Sequence, residues 1–120
     1  MILVDTPVWI EHLRSPVAKF QRLLEDNLVL THPWVIGEVA LGSIKNRQRV
    51  LQAMNDLPAA IVAETTELHA LLEAHRLWSR GIGWVDLGLL ASALVSHATL
   101  WTRDKGMATC GAEIGLDVLT

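Results

Sequence analysis

Four acidic residues stand at positions in this sequence that suggest chemistry. Asp5 directly follows an apolar run at the start of the chain, and Asp104 closely follows a second run, Leu100-Trp101-Thr102. Asp86 precedes that second run, and Glu38 lies inside an apolar segment. If they share one pocket, carboxylates about 6 Å apart repel each other by roughly 3 kcal/mol at an effective dielectric constant of ~20, so they need a cation or shared protons. Oxygen ligands alone favour Mg²⁺ or Mn²⁺, and such a site suits metal-assisted hydrolysis of a phosphodiester.

A structural role explains the same acids equally well on spacing alone. Asp5, Asp86 and Asp104 all stand at or near expected helix starts, where aspartate commonly caps the helix or interacts with its dipole. Glu38 is compatible with the solvent-facing side of a helix. The spacing therefore leaves both interpretations open.

The elements that would position these acids follow from the apolar pattern. Short apolar runs predict strands, and the amphipathic segments between them predict helices. The expected strands span residues 1–4, 28–30, 60–62, 100–102 and 118–119. A first helix is expected to begin at Thr6 as its cap, with Pro7 at the first helical position. The other expected helices span residues 16–26, 33–41, 48–54, 65–78, 86–97 and 104–113.

This alternation predicts an α/β fold. Residues 1–120 should form one domain, with a central parallel sheet of four to five strands and helices on both faces. In open sheets of this kind, ligands bind beyond the carboxyl ends of the strands. Asp5 and Asp104 stand at that edge, so they meet in one pocket if their strands are neighbours.

Composition excludes several classes of protein. With 51% hydrophobic and 19% charged residues, the chain is neither a disordered tail nor a linker. A net charge of -3 excludes binding to nucleic acid through bulk positive charge. The single cysteine, Cys110, excludes a scaffold held by internal disulfides. The apolar run 87–95 is too short to cross a bilayer, and no secretion signal is recognisable, so a cytoplasmic domain without a membrane segment is expected.

Four segments, in order along the chain, resemble the acidic motifs of a known family. They are Ile2-Leu3-Val4-Asp5-Thr6-Pro7-Val8-Trp9-Ile10, Val35-Ile36-Gly37-Glu38-Val39, Asp86-Leu87-Gly88-Leu89-Leu90-Ala91-Ser92-Ala93 and Leu100-Trp101-Thr102-Arg103-Asp104. The family is that of the PIN-domain ribonucleases, specifically the VapC-type toxins of toxin–antitoxin pairs. The resemblance covers essentially the whole chain, and Pro7 departs from it because these toxins usually carry a small polar residue there.

The resemblance implies a function. Asp5, Glu38, Asp86 and Asp104 would form an acidic pocket that holds one or two Mg²⁺ or Mn²⁺ ions, and a metal-activated water would attack an RNA phosphodiester. Thr6 and Thr102 would orient the acids or the water by hydrogen bonds. The partners implied are a small antitoxin that inserts into the pocket and a second copy of the chain in a homodimer.

Contacts to RNA are expected outside the acidic pocket. Lys45, Arg47 and Arg49 alternate along the chain, and with Arg14, Arg80, Arg103 and Lys105 elsewhere in the sequence they are candidates for a rim that contacts phosphates. A solvated helix face explains the same basic run. Trp84 is a candidate for stacking on a base or on a partner's side chain, whereas Trp9, Trp34, Trp78 and Trp101 are expected in the core.

Two other classes of protein compete with this interpretation. A phosphotransfer domain of the receiver or haloacid-dehalogenase type also carries aspartate after its first strand. A receiver needs adjacent acids there and a lysine after its last strand, and a dehalogenase needs a second aspartate where Pro7 stands. A degenerate PIN domain retained as a binding module is the non-enzymatic alternative, and the presence of all four acids speaks against it.

Overall fold

Four strands and seven helices alternate along the chain in a computed structural model that describes residues 1–120. In chain order they are β1 (Ile2–Val4), α1 (Thr6–Arg14), α2 (Ala18–Glu25), β2 (Val29–Leu30), α3 (Pro33–Ala40), α4 (Arg47–Asn55), α5 (Thr65–His75), α6 (Trp84–Val95), β3 (Thr99–Trp101), α7 (Lys105–Glu113) and β4 (Val118–Leu119). No helix is both long and apolar enough to traverse a bilayer.

The strands form one parallel sheet in the order β2-β1-β3-β4. Val4 at the end of β1 lies opposite Trp101 at the end of β3. The first and third strands are therefore neighbours at the centre of the sheet, and the residues that follow them leave the sheet side by side.

Both faces of the sheet are covered by helices. Successive residues of a strand point to opposite faces. Leu3 and Val4 in β1 are fully buried, and Leu100 and Trp101 in β3 are buried as well. This burial explains the continuous apolar runs, which are typical of parallel strands packed on both faces. The expected α/β fold is confirmed, with four strands.

The strand expected at residues 60–62 is wrong. Only a single bridge joins Ala59 to Thr31 beside β2. The next backbone donors bond to side chains of α6 instead: Ile61 N donates to Ser96 Oγ at 2.8 Å and Ala63 N to Ser92 Oγ at 3.1 Å. Because helix hydroxyls satisfy these donors, the segment needs no strand partner.

The helix expected over residues 65–78 ends three residues earlier, at His75. Arg76 adopts a left-handed conformation with φ 52°, and Leu77 turns inward, where it is buried. Trp78 is 51% exposed as a result, so its expected place in the core is also wrong.

A candidate active site at the carboxyl edge of the sheet

Asp5 directly follows the carboxyl end of β1. Its backbone N–H donates to Trp101 O at 2.8 Å, which continues the pairing of β1 with β3 by one residue. Its Oδ1 accepts from Thr6 N at 2.8 Å, so Asp5 caps α1. The expectation that Thr6 is the cap is wrong, because Thr6 is already helical.

Thr102 links the exits of the two central strands. Its hydroxyl donates to Asp5 Oδ2 at 2.8 Å and accepts from Asp104 N at 3.1 Å. Asp104 in turn caps α7, since its Oδ1 accepts from Met107 N at 2.9 Å. One buried hydroxyl therefore holds both strand-end aspartates in place.

Helices supply the other two acids. Asp86 lies in the first turn of α6, where its Oδ2 accepts from Gly83 N at 2.9 Å. Glu38 lies in α3, and its Oε1 accepts from the hydroxyl of Thr6 at 2.6 Å. Both threonines that the resemblance implicates thus donate to carboxylates of this set.

Trp34 of α3 packs closely against Gly88 of α6. A Cβ atom on Gly88 would lie 2.1 Å from Cζ3 of Trp34, so the indole ring packs directly on the backbone of α6. Trp34 precedes Glu38 by about one turn of α3, and Gly88 follows Asp86 in α6. The absence of a side chain at Gly88 therefore allows the two acid-bearing helices to approach.

One cleft of about 660 Å³ collects all four acids. Its lining residues are Asp5, Thr6, Pro7, Ile10, Glu11, Arg14, Ser15, Glu38, Asp86 and Asp104. Asp86 and Asp104 can serve both in capping a helix and as members of the acidic cleft, because each uses only one carboxylate oxygen at the start of its helix. The second oxygen of each, like Oε2 of Glu38, accepts no hydrogen bond from the protein.

Electrostatics distinguish Asp5 within this cleft. Burial raises the pKa of the Asp5 carboxyl, and the charges of Asp86 and Glu38 raise it further. Hydrogen bonds from Thr102 and Thr6 lower the pKa and partly oppose these effects. Burial and the neighbouring charges therefore destabilise the ionised form of Asp5, and a bound cation would stabilise it.

The donor set fits a hard divalent cation. All four ligand candidates are carboxylates, the chemistry that Mg²⁺ and Mn²⁺ prefer. No three histidine, cysteine, aspartate or glutamate side chains are placed so that they could hold one ion as they stand. Mg²⁺ commonly uses only one or two carboxylates with several waters and substrate phosphates. An open cleft with three donor-free carboxylate oxygens suits that mode.

Of the basic residues expected to contact RNA, only Arg14 lines the cleft. Arg47 donates to Ala40 O at 3.0 Å, and Lys45 and Arg49 are exposed. Arg103 pairs with Glu11 at 3.2 Å. Lys45, Arg47 and Arg49 therefore do not line the cleft with the four acids, whereas Arg103 contacts the cleft wall through Glu11.

Trp84 begins α6 and is 46% exposed, with its ring tilted against His69 at 5.3 Å. It lines a shallow depression beside the cleft, together with Trp34 and Leu41, and this depression reaches Glu38. It lies on the surface and is not part of the acidic cleft, and its stacking on a base or a partner stays a prediction.

The sequence analysis did not predict that α1 forms one wall of the cleft. Pro7, Glu11 and Arg14 line it at intervals of four and three residues. This spacing places residues on one face of a helix. A helical projection of α1 from its cap, Asp5, would have shown that these three residues share one face.

Comparison with known proteins agrees with this architecture. The sequence model of the PIN domain matches residues 2–112. The chain is 50% identical over 117 residues to "Ribonuclease VapC32" of Mycobacterium tuberculosis, in strains CDC 1551 and H37Rv, covering 97% of this chain and 94% of the relative. The crystal structure of FitAcB from Neisseria gonorrhoeae superposes with a TM-score of 0.68 at 20% identity, covering 100% of this chain and 97% of that one. The family match and the relatives exclude the receiver and dehalogenase alternatives: the chain belongs to the PIN-domain family, among its VapC-type members.

Proposed function

We propose that this chain is a Mg²⁺- or Mn²⁺-dependent endoribonuclease, the toxin component of a type II toxin–antitoxin pair. The observation that carries the proposal is the convergence of Asp5, Glu38, Asp86 and Asp104 on one cleft from two strand ends and two helices. The ribonuclease activity named for the relative that is 50% identical supports the same reaction class.

The acids divide the work in this proposal. The carboxylate oxygens of Glu38, Asp86 and Asp104 that accept no hydrogen bond would hold the ion or accept a proton from water. Asp5 serves as the buried anchor of the charge cluster, oriented by the hydroxyl of Thr102. A bound divalent ion supplies Lewis-acid stabilisation of the phosphodiester and makes water more acidic.

The substrate and partners follow from the same family membership. RNA would lie across the cleft, with Lys45, Arg49 and Trp84 as outer contacts. Arg47 and Arg103 have partners within the protein, so any direct contact they make with RNA requires those bonds to open. A small antitoxin that covers the acidic cleft, a homodimer and a cytoplasmic location complete the proposal.

Purified protein and single-stranded RNA test the activity. We expect cleavage with Mg²⁺ or Mn²⁺, loss of cleavage on chelation, and poor cleavage with Ca²⁺, whose looser coordination positions water less well. Asp86→Asn and Asp104→Asn should both be inactive, since each removes a charged ligand while an amide oxygen still accepts the helix-start hydrogen bond. Undiminished cleavage in excess EDTA would contradict the metal mechanism.

A further inference from the structure

Arg14 is the only basic residue on the wall of the acidic cleft. Five acidic residues line the cleft, namely Asp5, Glu11, Glu38, Asp86 and Asp104, against this single guanidinium. An RNA backbone brings further negative charge to such a surface. Arg14 therefore stands where an incoming phosphate most needs a protein cation.

The guanidinium of Arg14 has no partner within the protein. Glu11 lies one helical turn before it, at the spacing that favours an ion pair along a helix. However, Arg103 occupies both oxygens of Glu11, at 3.2 and 3.4 Å. Arg103 is itself held by Thr120 O at 3.3 Å and by the ring of Trp101. Neither a hydrogen bond nor an ion pair engages Arg14, so its charge is available to a ligand.

The position of Arg14 along α1 indicates which phosphate it can contact. Asp5 caps the helix and Arg14 is its last residue, so their backbones are about 14 Å apart along the helix axis at 1.5 Å per residue. Phosphates recur along a nucleic-acid strand at shorter intervals than this. A strand whose reacting phosphate lies at the carboxylates would bring a neighbouring phosphate to Arg14.

We propose that Arg14 binds a backbone phosphate next to the one that reacts and thereby positions the RNA strand across the carboxylates. This inference rests on the proposed ribonuclease function. The planar fork of arginine suits phosphate oxygens, and the Glu11–Arg103 pair keeps that fork free. Arg14 is thus a positioning residue that does not touch the reacting atoms.

RNA binding measured against salt tests the inference. A fluorescent single-stranded RNA of about twelve nucleotides, within the range covered by one small binding domain, is titrated by anisotropy in Ca²⁺ to limit cleavage. Losing one phosphate contact should reduce the slope of log K against log salt by about 0.7. Between 1 M and 0.1 M salt, the affinity of the variant should therefore increase about fivefold less than that of the wild type. We expect this change in Arg14→Ala and a slope close to that of the wild type in Arg14→Lys.

Arg22 provides a matched control. It is exposed, lies in the last turn of α2 and lines no part of the cleft. Arg22→Ala removes the same charge from the whole molecule and should bind RNA like the wild type. Equal losses in the Arg14 and Arg22 variants would assign the effect to net charge and overturn the inference.

Steady-state cleavage separates positioning from chemistry. Arg14→Ala should raise KM and leave kcat within about twofold of the wild-type value, because contact with a remote phosphate contributes to binding in both the ground and transition states. A fall in kcat with unchanged KM would overturn the inference.

The link to Glu11 makes a second, independent test. Arg103→Ala frees Glu11 to pair with Arg14, so it should weaken RNA binding. The double variant Glu11→Gln with Arg103→Ala should restore binding, whereas a direct contact of Arg103 with RNA predicts no recovery, which would overturn the inference.

The remaining outcomes are distinguishable. Wild-type salt dependence in Arg14→Ala, with RNA still cleaved, would overturn this inference and leave the proposed function intact. A wild-type chain that neither binds nor cuts RNA would overturn both. Unchanged RNA binding together with weaker binding of an acidic partner protein would assign Arg14 to a protein interface and overturn the inference.

Discussion

The hydroxyl of Thr102 donates a hydrogen bond of 2.8 Å to Asp5 Oδ2, although the two residues lie 97 positions apart in the sequence. The parallel pairing of β1 with β3 brings them together, since each directly follows the matched pair Val4 and Trp101. Both residues are buried, so the bond has little competition from water. The hydroxyl also accepts from Asp104 N, which makes Thr102 the shared support of two candidate ligands.

Replacement of Thr102 by valine tests that support. The variant keeps the shape of the side chain but leaves Asp5 and the N–H of Asp104 without their partner, so we expect about 1–3 kcal/mol lower stability. Cleavage of RNA should fall about 10–100-fold, the usual effect of removing a group that orients a ligand. Thr102→Ser retains the hydroxyl and should recover most of the activity. A valine variant as active as the serine variant would show that the bond does not orient the site.

The contact between Gly88 and Trp34 predicts a strong effect of a single methyl group. Gly88→Ala drives a Cβ atom into the indole ring, and overpacking of this kind costs about 1–3 kcal/mol. Because α3 carries Glu38 and α6 carries Asp86, we also expect reduced RNA cleavage. Thermal melting and a cleavage assay measure the two effects.

Gly37 offers the matched control for that substitution. It lies in α3, the other helix of the pair, and a Cβ atom there would meet nothing within 4 Å. Gly37→Ala should therefore stabilise the protein by about 0.4–1 kcal/mol through the greater helix propensity of alanine. If both alanine variants melt alike, the close approach at Gly88 does not set the helix spacing.

Part of the candidate site was predictable because two of its acids, Asp5 and Asp104, follow the ends of strands. The apolar runs before Asp5 and Asp104 predict adjacent strand ends, and the α/β pattern predicts that ligands bind there. The expected convergence needed only that β1 and β3 be neighbours, which the sheet order provides. Local signals and one topological rule were sufficient for this part.

Features that depend on tertiary partners were not predictable. The segment containing Ile61 forms no strand, because two serine hydroxyls at α6 accept hydrogen bonds from its backbone. The local sequence does not indicate these long-range hydrogen bonds. The pairing of Arg103 with Glu11 joins residues far apart in the chain. Trp78 is exposed because Arg76 ends α5 in a left-handed conformation, which is uncommon for a residue other than glycine.

Aspartate-to-asparagine variants measure the repulsion within the cleft. Carboxylates that share this cleft should repel by about 1–3 kcal/mol at an effective dielectric constant of ~20. In EDTA, Asp86→Asn and Asp104→Asn should therefore melt at higher temperature than the wild type, because asparagine oxygens preserve the bonds to Gly83 and Met107. Added Mg²⁺ should stabilise both variants less than the wild type, since the metal stabilises only the state that binds it.

The matching alanine variant separates repulsion from capping. Asp104→Ala also removes a charge but loses the cap of α7, which costs about 0.5–2 kcal/mol, so it should melt below Asp104→Asn. If the asparagine variants melt like the wild type both with and without Mg²⁺, the four acids do not act as one electrostatic cluster.

A buried histidine links the sheet edge to α6. His32 Nδ1 accepts from Trp34 N at 3.1 Å, so the neutral ring carries its proton on Nε2, which donates to Ser92 Oγ at 3.0 Å. Ser92 Oγ also accepts from Ala63 N. Protonation of Nδ1 would place an N–H against the N–H of Trp34 and charge a fully buried ring.

The pH dependence of stability follows from this network. Burial lowers the pKa of His32 below that of the unfolded chain, so below about pH 6.5 the unfolded state binds more protons. The free energy of unfolding should therefore fall as the pH drops, by up to about 1.4 kcal/mol per pH unit for this one group.

His32→Asn should be less stable than the wild type at pH 7.5, because it loses the bond to Ser92. It should nevertheless lose less further stability than the wild type between pH 7.5 and pH 5.5. His12, whose pKa burial also lowers, keeps a residual slope in both proteins. Urea unfolding of the wild type and of His32→Asn at the two pH values measures the effect. Equal pH dependence in the two proteins would show that the pKa of His32 does not differ between the folded and unfolded states.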